Sequence, residues 1–202
     1  MLIRWSALLQ RVFASLLFKD NAEIFSGCYL GWRCLRMPGV LHRQFLREKE
    51  AVQLLDESSR RLKLNVRDLI GFKKPNLESA EGPDVKVFYL NGQPSMAVTK
   101  DGMIPTLFFE KALFLLPRIT VNMGAVPYVC NGADVLAPGI VKVEGAFAVG
   151  DLMLVVDERH GKPLAVVSAL VDSQAAKDMK RGKVAGNLHY VGDALWNMLR
   201  RG

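Results

Sequence analysis

At 202 residues the chain is long enough for one or two small domains with cores of their own, and its half-hydrophobic, 23% charged composition argues against disorder. A formal net charge of +7 points to an anionic partner, either nucleic acid or an anionic membrane surface, without choosing between them. Three cysteines, Cys28, Cys34 and Cys130, with no C-x-x-C pair, argue against a secreted disulfide framework and a zinc site. Lone buried thiols in a reducing compartment are expected instead, a Cys28–Cys34 pair being the alternative.

The N-terminal segment has apolar residues at Leu2, Trp5, Leu8, Leu9, Val12, Leu16 and Leu17, a helical spacing. Arg4, Gln10 and Arg11 interrupt it, so no run approaches the roughly 20 apolar residues that cross a bilayer, and no membrane span is expected. Its basic, acid-free start before Asp20 slightly resembles a signal or transit peptide, but no small-residue cleavage site follows. Three readings stand: an amphipathic helix docked on the protein, a surface-seeking helix, or upstream sequence translated before a start at Met37. The first and third are preferred, and no function is placed on residues 1–36.

From about Gln44 to Leu64 the pattern is helical, with Leu46, Val52, Leu54, Leu55 and Leu62 forming an apolar face. VRDLIG predicts a second short helix stopped by Gly71, and KKPNLESAEGPD a polar loop. The turns Asn91-Gly92 and Asp101-Gly102 then separate β-rich runs, which predicts a three-stranded meander. TLFFEKALFLLP reads as an apolar helix ended by Pro117. Beyond it, RITVN is a strand, and further short β runs punctuated by glycine surround one polar helix in SQAAKDMKRGK. Short strands around a small helix suggest a compact β-barrel. The fold class is therefore α+β: a small helix and β-meander domain followed by a barrel.

Residues 121–140 read VNMGAVPYVCNGADVLAPGI, with glycines at Gly124, Gly132 and Gly139. The stretch matches neither G-x-x-x-x-G-K-[ST] nor G-x-G-x-x-G, and its lack of lysine removes the point charge that a nucleoside triphosphate site would want. It encodes a strand, a tight turn and a short helix. Asn122 or Met123 is expected to cap that helix, Pro127 to fall in its first turn and Asn131-Gly132 to stop it. Free N–H groups there could hold one backbone phosphate, while the plainer alternative is that the glycines permit close packing. A second constellation is basic: Lys177, Lys180, Arg181 and Lys183, opposed only by Asp178, with Gly182 breaking the helix. Such a cluster can contact phosphates, or simply complement the helix dipole. His189 has no partnered nucleophile and reads as a hydrogen-bonded packing residue, and His160 as solvated. Asp157 and Glu158 point to opposite faces of a strand, a poor acid–base pair. Tyr128 and Phe147 could stack on a base, but core packing is expected of both.

The run ITVNMGAVPYVCNGADVLAPGIV resembles the signature of the PUA domain, an RNA-binding module found in archaeosine transglycosylases and pseudouridine synthases. Its G-A-V, G-A and P-G-I elements stand at Gly124-Ala125-Val126, Gly132-Ala133 and Pro138-Gly139-Ile140. VGDLMLVVDERHGKPLAVVSALV is similar to the family's next hairpin. The flanks, Ile104-Pro105-Thr106-Leu107 and His189-Tyr190 with Asp193 and Trp196, resemble the malignant-T-cell-amplified-sequence family and its archaeal stand-alone relatives, across about residues 43–199. The resemblance implies a pre-PUA domain at 43–116 and a PUA domain at 117–196, flanked by an N-terminal extension (1–42) and a C-terminal tail (197–202). It implies a cytoplasmic, non-catalytic protein without cofactor or metal that binds structured RNA, tRNA or rRNA. The expected role is in initiation or recycling on the small ribosomal subunit, with a separate initiation-factor-like protein; an RNA-targeting accessory of a modification enzyme is the alternative. The implied RNA contacts are Met123, Gly124, Ala125, Val126, Gly132 and Ala133, with Lys180, Arg181, Gly182 and Lys183 holding neighbouring backbone.

Overall fold

The computed structural model describes residues 42–71, 76–82 and 84–201. Expectations for residues 1–36, a start at Met37 and a Cys28–Cys34 pair lie outside the described residues. Two sheets organise the rest. The first runs in chain order β1 (Arg43–Phe45), β2 (Leu77–Glu81), β3 (Lys86–Leu90), β4 (Gln93–Thr99) and β5 (Gly102–Pro105), all antiparallel neighbours. Between β1 and β2 come helices α1 (Glu48–Leu62) and α2 (Val66–Ile70), and after β5 the single turn α3 (Glu110–Leu113).

The β3–β4–β5 meander forms where the two turns predict it. Leu90 pairs with Gln93 across a two-residue loop in which Asn91 (φ 50°) and Gly92 (φ 81°) are both left-handed, the geometry that matches strand twist. The sheet has two more strands than expected. Gln44 and Phe45, read as helical, lie in β1, and the supposed loop around LESAE is β2. Each of these strands exists through its partner: Arg43, Gln44 and Phe45 pair with Ala80, Ser79 and Glu78, a non-local ladder that no local pattern announces. The helix accordingly starts at Glu48, where the Arg47 N–H donates to Glu50 Oε2 at 2.9 Å. The apolar run before Pro117 yields only one helical turn; Ala112, Leu113 and Leu116 are buried while Phe114 and Leu115 face outward.

The second sheet contains β6 (Arg118–Val121), β7 (Val135–Leu136), β8 (Ile140–Glu144), β9 (Leu152–Asp157), β10 (Pro163–Ala169) and β11 (Lys183–Tyr190). Their order is β7-β11-β10-β9-β6-β8, with β6 and β9 parallel and every other pair antiparallel. Helices α4 (Val126–Val129), α5 (Ser173–Asp178) and α6 (Ala194–Arg201) accompany it. The last helix takes in residues 197–201, expected as a tail.

β9 is buried along its whole length because both of its faces are covered. Leu152, Leu154 and Val156 enter one core with Val87, Ala97, Ile104 and Leu113 of the N-terminal half, together with Leu195 and Leu199 of α6. Met153 and Val155 enter the other with Ile119, Val121, Val135, Val167 and Val184. The period-2 alternation of one strand thus divides its side chains between two cores. The Arg61 side chain donates within its own half to Met103 O (3.3 Å) and across the seam to Gly150 O (3.1 Å), and Lys63 pairs with Asp151 across it at 2.7 Å.

Candidate functional site

The glycine segment leaves β6 at Asn122. The Ala125 N–H donates to both Asn122 O (3.0 Å) and Asn122 Oδ1 (2.9 Å), closing a tight turn. Asn122 therefore holds the turn ahead of the helix, while Ala125 is the residue at the cap and no side chain caps α4. Pro127 falls in the first turn, as its missing N–H favours. Gly132, at φ 83°, ends the helix beneath the Tyr190 ring; a Cβ there would lie 2.9 Å from Tyr190 Cε1. Gly139 approaches Ala125, where a Cβ would sit 2.9 Å from the Ala125 Cβ. Gly124 is different: its added Cβ would meet only Asn122 Oδ1, at 3.3 Å. Close packing thus explains Gly132 and Gly139 and leaves Gly124 unexplained.

The N–H groups are partly used within the chain. The Met123 N–H donates to Glu158 Oε1 at 2.9 Å, and Ala125 is taken by Asn122. Among the described residues no group accepts from the Gly124 or Val126 N–H. A four-residue helix carries little dipole, so these two amides act as individual donors.

A groove of about 320 Å³ opens beside the turn, lined among others by Asn122, Gly124, Tyr128, Asp134 and Leu136. Tyr128, expected in the core, is 70% exposed on it, whereas Phe147 is buried as expected. The reason is its position on α4: Val129 faces the sheet, and its neighbour points to solvent. The signal for an exposed aromatic is absent from the sequence, since one helical turn is too short to show a period.

The basic residues lie beyond α5. Asp172 caps that helix by accepting from the Gln174 and Ala175 N–H groups, and only Lys177 falls in its last turn. Lys180, Arg181 and Gly182 form the turn into β11, so the helix dipole does not account for them. Gly182 (φ 106°) accepts at its carbonyl from the Ala137 N–H at 3.0 Å, and Lys183 pairs in register with Leu136. The edge strand β7 therefore brings the glycine segment and the basic turn together, although some 50 residues separate them. Lys183 is not free: its Nζ lies 2.8 Å from Asp134 Oδ2. That hydrogen bond raises Lys183 and, with one from the Asn187 N–H, holds the Asp134 carboxyl below the usual range. Among the described residues no carboxylate pairs with Lys180 or Arg181.

The β9–β10 turn borders the other end of the segment, with the Glu158 N–H donating to Val121 O at 3.1 Å. Buried Asp157 organises it by accepting from the N–H groups of Arg159 (3.0 Å), His160 (2.6 Å) and Lys162 (2.8 Å). Burial would push Asp157 up, but these donors hold it below the ordinary carboxylate range. Exposed Arg159 and Lys162 thereby join the margin of the site; the sequence marked this turn only as solvated. His189 is fully buried, its Nδ1 2.6 Å from Asp193 Oδ2, and Asp193 also accepts from the Trp196 N–H at the start of α6. It is a packing residue within a cap. Cys130 is half-buried, and burial pushes its thiol up.

The PUA domain family matches residues 117–191, the whole of the second sheet with its glycine segment. An uncharacterized protein of Methanocaldococcus jannaschii is 37% identical over 159 residues, 78% of this chain and 97% of that protein. The chain belongs to the PUA-domain proteins. Within them, this PUA protein resembles the malignant-T-cell-amplified-sequence family. Translation machinery-associated protein 20 of Eremothecium gossypii is 28% identical over 133 residues, 62% of this chain and 74% of the relative. Malignant T-cell-amplified sequence 1 of Rattus norvegicus is 26% identical over 119 residues, 56% and 65% of the two chains. A hypothetical protein of Pyrococcus horikoshii has a similar structure, with a TM-score of 0.67 at 30% identity over 78% of this chain and 99% of that one. The archaeal similarity extends over both sheets, beyond the PUA module itself. Among the described residues no helix of this PUA protein is long and apolar enough to cross a membrane.

Proposed function

We propose that the protein binds structured RNA without catalysing a reaction, and that it acts in translation on tRNA or the small ribosomal subunit in the cytoplasm. RNA binding follows from membership in the PUA family; the translation role is supported by relatives whose names place them with the translation machinery. We further propose the division into a pre-PUA domain at 43–116 and a PUA domain at 117–196, and a separate initiation-factor-like protein as partner.

One observation carries the site: the glycine segment, the exposed Tyr128 and the Lys180–Lys183 turn lie along one sheet edge. Gly124 and Val126 supply backbone donors at a point where a phosphate or ribose can approach closely, with Met123, Ala125, Gly132 and Ala133 shaping the turn. Lys180, Arg181 and Lys183, with Gly182 between them, meet the neighbouring phosphates. Contacts of this kind position RNA by its backbone and add salt dependence, while the aromatic face receives an unstacked base.

Crosslinking and sequencing of bound RNA, repeated with Lys180, Arg181 and Lys183 changed to alanine, tests the assignment. The wild type is expected to enrich tRNA or small-subunit rRNA, and the triple variant to lose that enrichment. An unchanged profile refutes the basic edge, and co-purification of a modification enzyme in place of ribosomal proteins refutes the translation role.

A further inference from the structure

One residue touches both separated parts of this interface, through its side chain on one side and its backbone N–H on the other. Asn187 lies on β11 at an irregularity in the ladder: Val166 pairs with His189, yet Val167 pairs with Asn187. Its Nδ2 donates to Val129 O at 3.0 Å and to Ala133 O at 3.1 Å, bracketing the end of α4 and the Gly132 stop. Its backbone N–H donates to Asp134 Oδ1 at 3.2 Å, and the other oxygen of that carboxylate holds Lys183 Nζ at 2.8 Å. The amide orientation is set by chemistry, because turning it over would place Oδ1 against two carbonyl oxygens. Oδ1 itself is buried with no donor among the described residues, so the side chain is held through its N–H groups alone.

We propose that Asn187 is the positioning residue of the interface: its side chain pins Val129 O and Ala133 O at the C-terminal end of the glycine segment, and so places the adjoining Asp134 and with it Lys183, so that RNA meets a single preorganised surface. The inference rests on the RNA-binding reading above. Preorganisation lowers the cost of ordering on binding, and a site depends on the shell that supports it. Aspartate, although isosteric, would set a negative charge against the Val129 and Ala133 carbonyls, so only an amide supplies the two donors at this length.

Two measurements test it. Hydrogen exchange on the free protein reads the lock without RNA: the Gly132 and Ala133 amides, now bonded to Val129 O and Tyr128 O, are expected to exchange faster in Asn187→Ala. A double-mutant cycle with unfractionated tRNA then reads the coupling. Asn187→Ala is expected to weaken binding about tenfold in the wild type and less than about threefold when Lys183 is already alanine. A purely structural role predicts equal losses in both backgrounds, and that result, or unchanged exchange, overturns the proposal. Asn187→Ser serves in both experiments should the alanine variant not fold. Absence of tRNA binding by the wild type counts against the RNA reading alone, and exchange at Gly132 and Ala133 then decides the positioning role.

Discussion

Tyr128 and Phe147 show how position decides the use of an aromatic ring. Both stand in the PUA module, yet one is 6% exposed in the second core and the other 70% exposed on the groove. A ring held in water on the groove that Gly124 also lines has the form of a stacking platform. Stacking on an aromatic contributes about 1–3 kcal/mol per base, so Tyr128→Ala is expected to weaken RNA binding about tenfold or more. Because the side chain buries little, the melting temperature is expected to stay within a few degrees. Isothermal titration paired with thermal unfolding checks both; a large loss of stability with unchanged affinity would make Tyr128 a packing residue after all.

At the scale of the element, the strand–turn–helix unit from Arg118 to Ala133 is shaped by glycines that do different things. Gly132 must be left-handed and must leave room for Tyr190, so Gly132→Ala meets both a conformational and a steric cost. About 1–3 kcal/mol of destabilisation is expected in urea unfolding. Gly124→Ala meets only the Asn122 side-chain oxygen and is expected to cost less than about 1 kcal/mol, so any loss of RNA affinity it produces reports on the surface itself. Equal destabilisation by the two substitutions would refute this separation of roles. The glycine and proline punctuation made the unit legible in the sequence. β1 and β2 were not legible, since LESAE offers only Leu77 and Ala80 to the core and becomes a strand only by pairing on both sides.

Over the whole molecule, β9 and β10 serve both cores, and α6, late in the chain, returns to the first one. Ionised carboxylates fasten this arrangement at separate places. Burial raises Asp193 and Asp151, but hydrogen bonds from His189 and from the Ala148 N–H and Lys63 outweigh it, so both sit below their ordinary values. Asp157 and Asp134 are lowered as well. The unfolded value is about 3.9, so the stability these groups supply is complete above roughly pH 4 and is lost as pH falls through the lower folded values. Urea unfolding as a function of pH is expected to show this loss. Asp157→Asn is expected to be less stable at neutral pH and to depend less steeply on acid; a steeper dependence would contradict the assignment.

Sequence alone determined the class of fold, the meander with its two turns, the glycine-bounded helix and the family, because local backbone preference and ordered motifs are written residue by residue. Apart from the family resemblance, nothing in the residue pattern relates the glycine segment to the lysine cluster in space. Only the tertiary structure set them side by side, through the pairing of Lys183 with Leu136, and turned Tyr128 outward and Asn187 inward. Those outcomes depend on strand neighbours some 50 residues apart, and on which face of a single helical turn meets the sheet. No periodicity of so short a segment can carry that information.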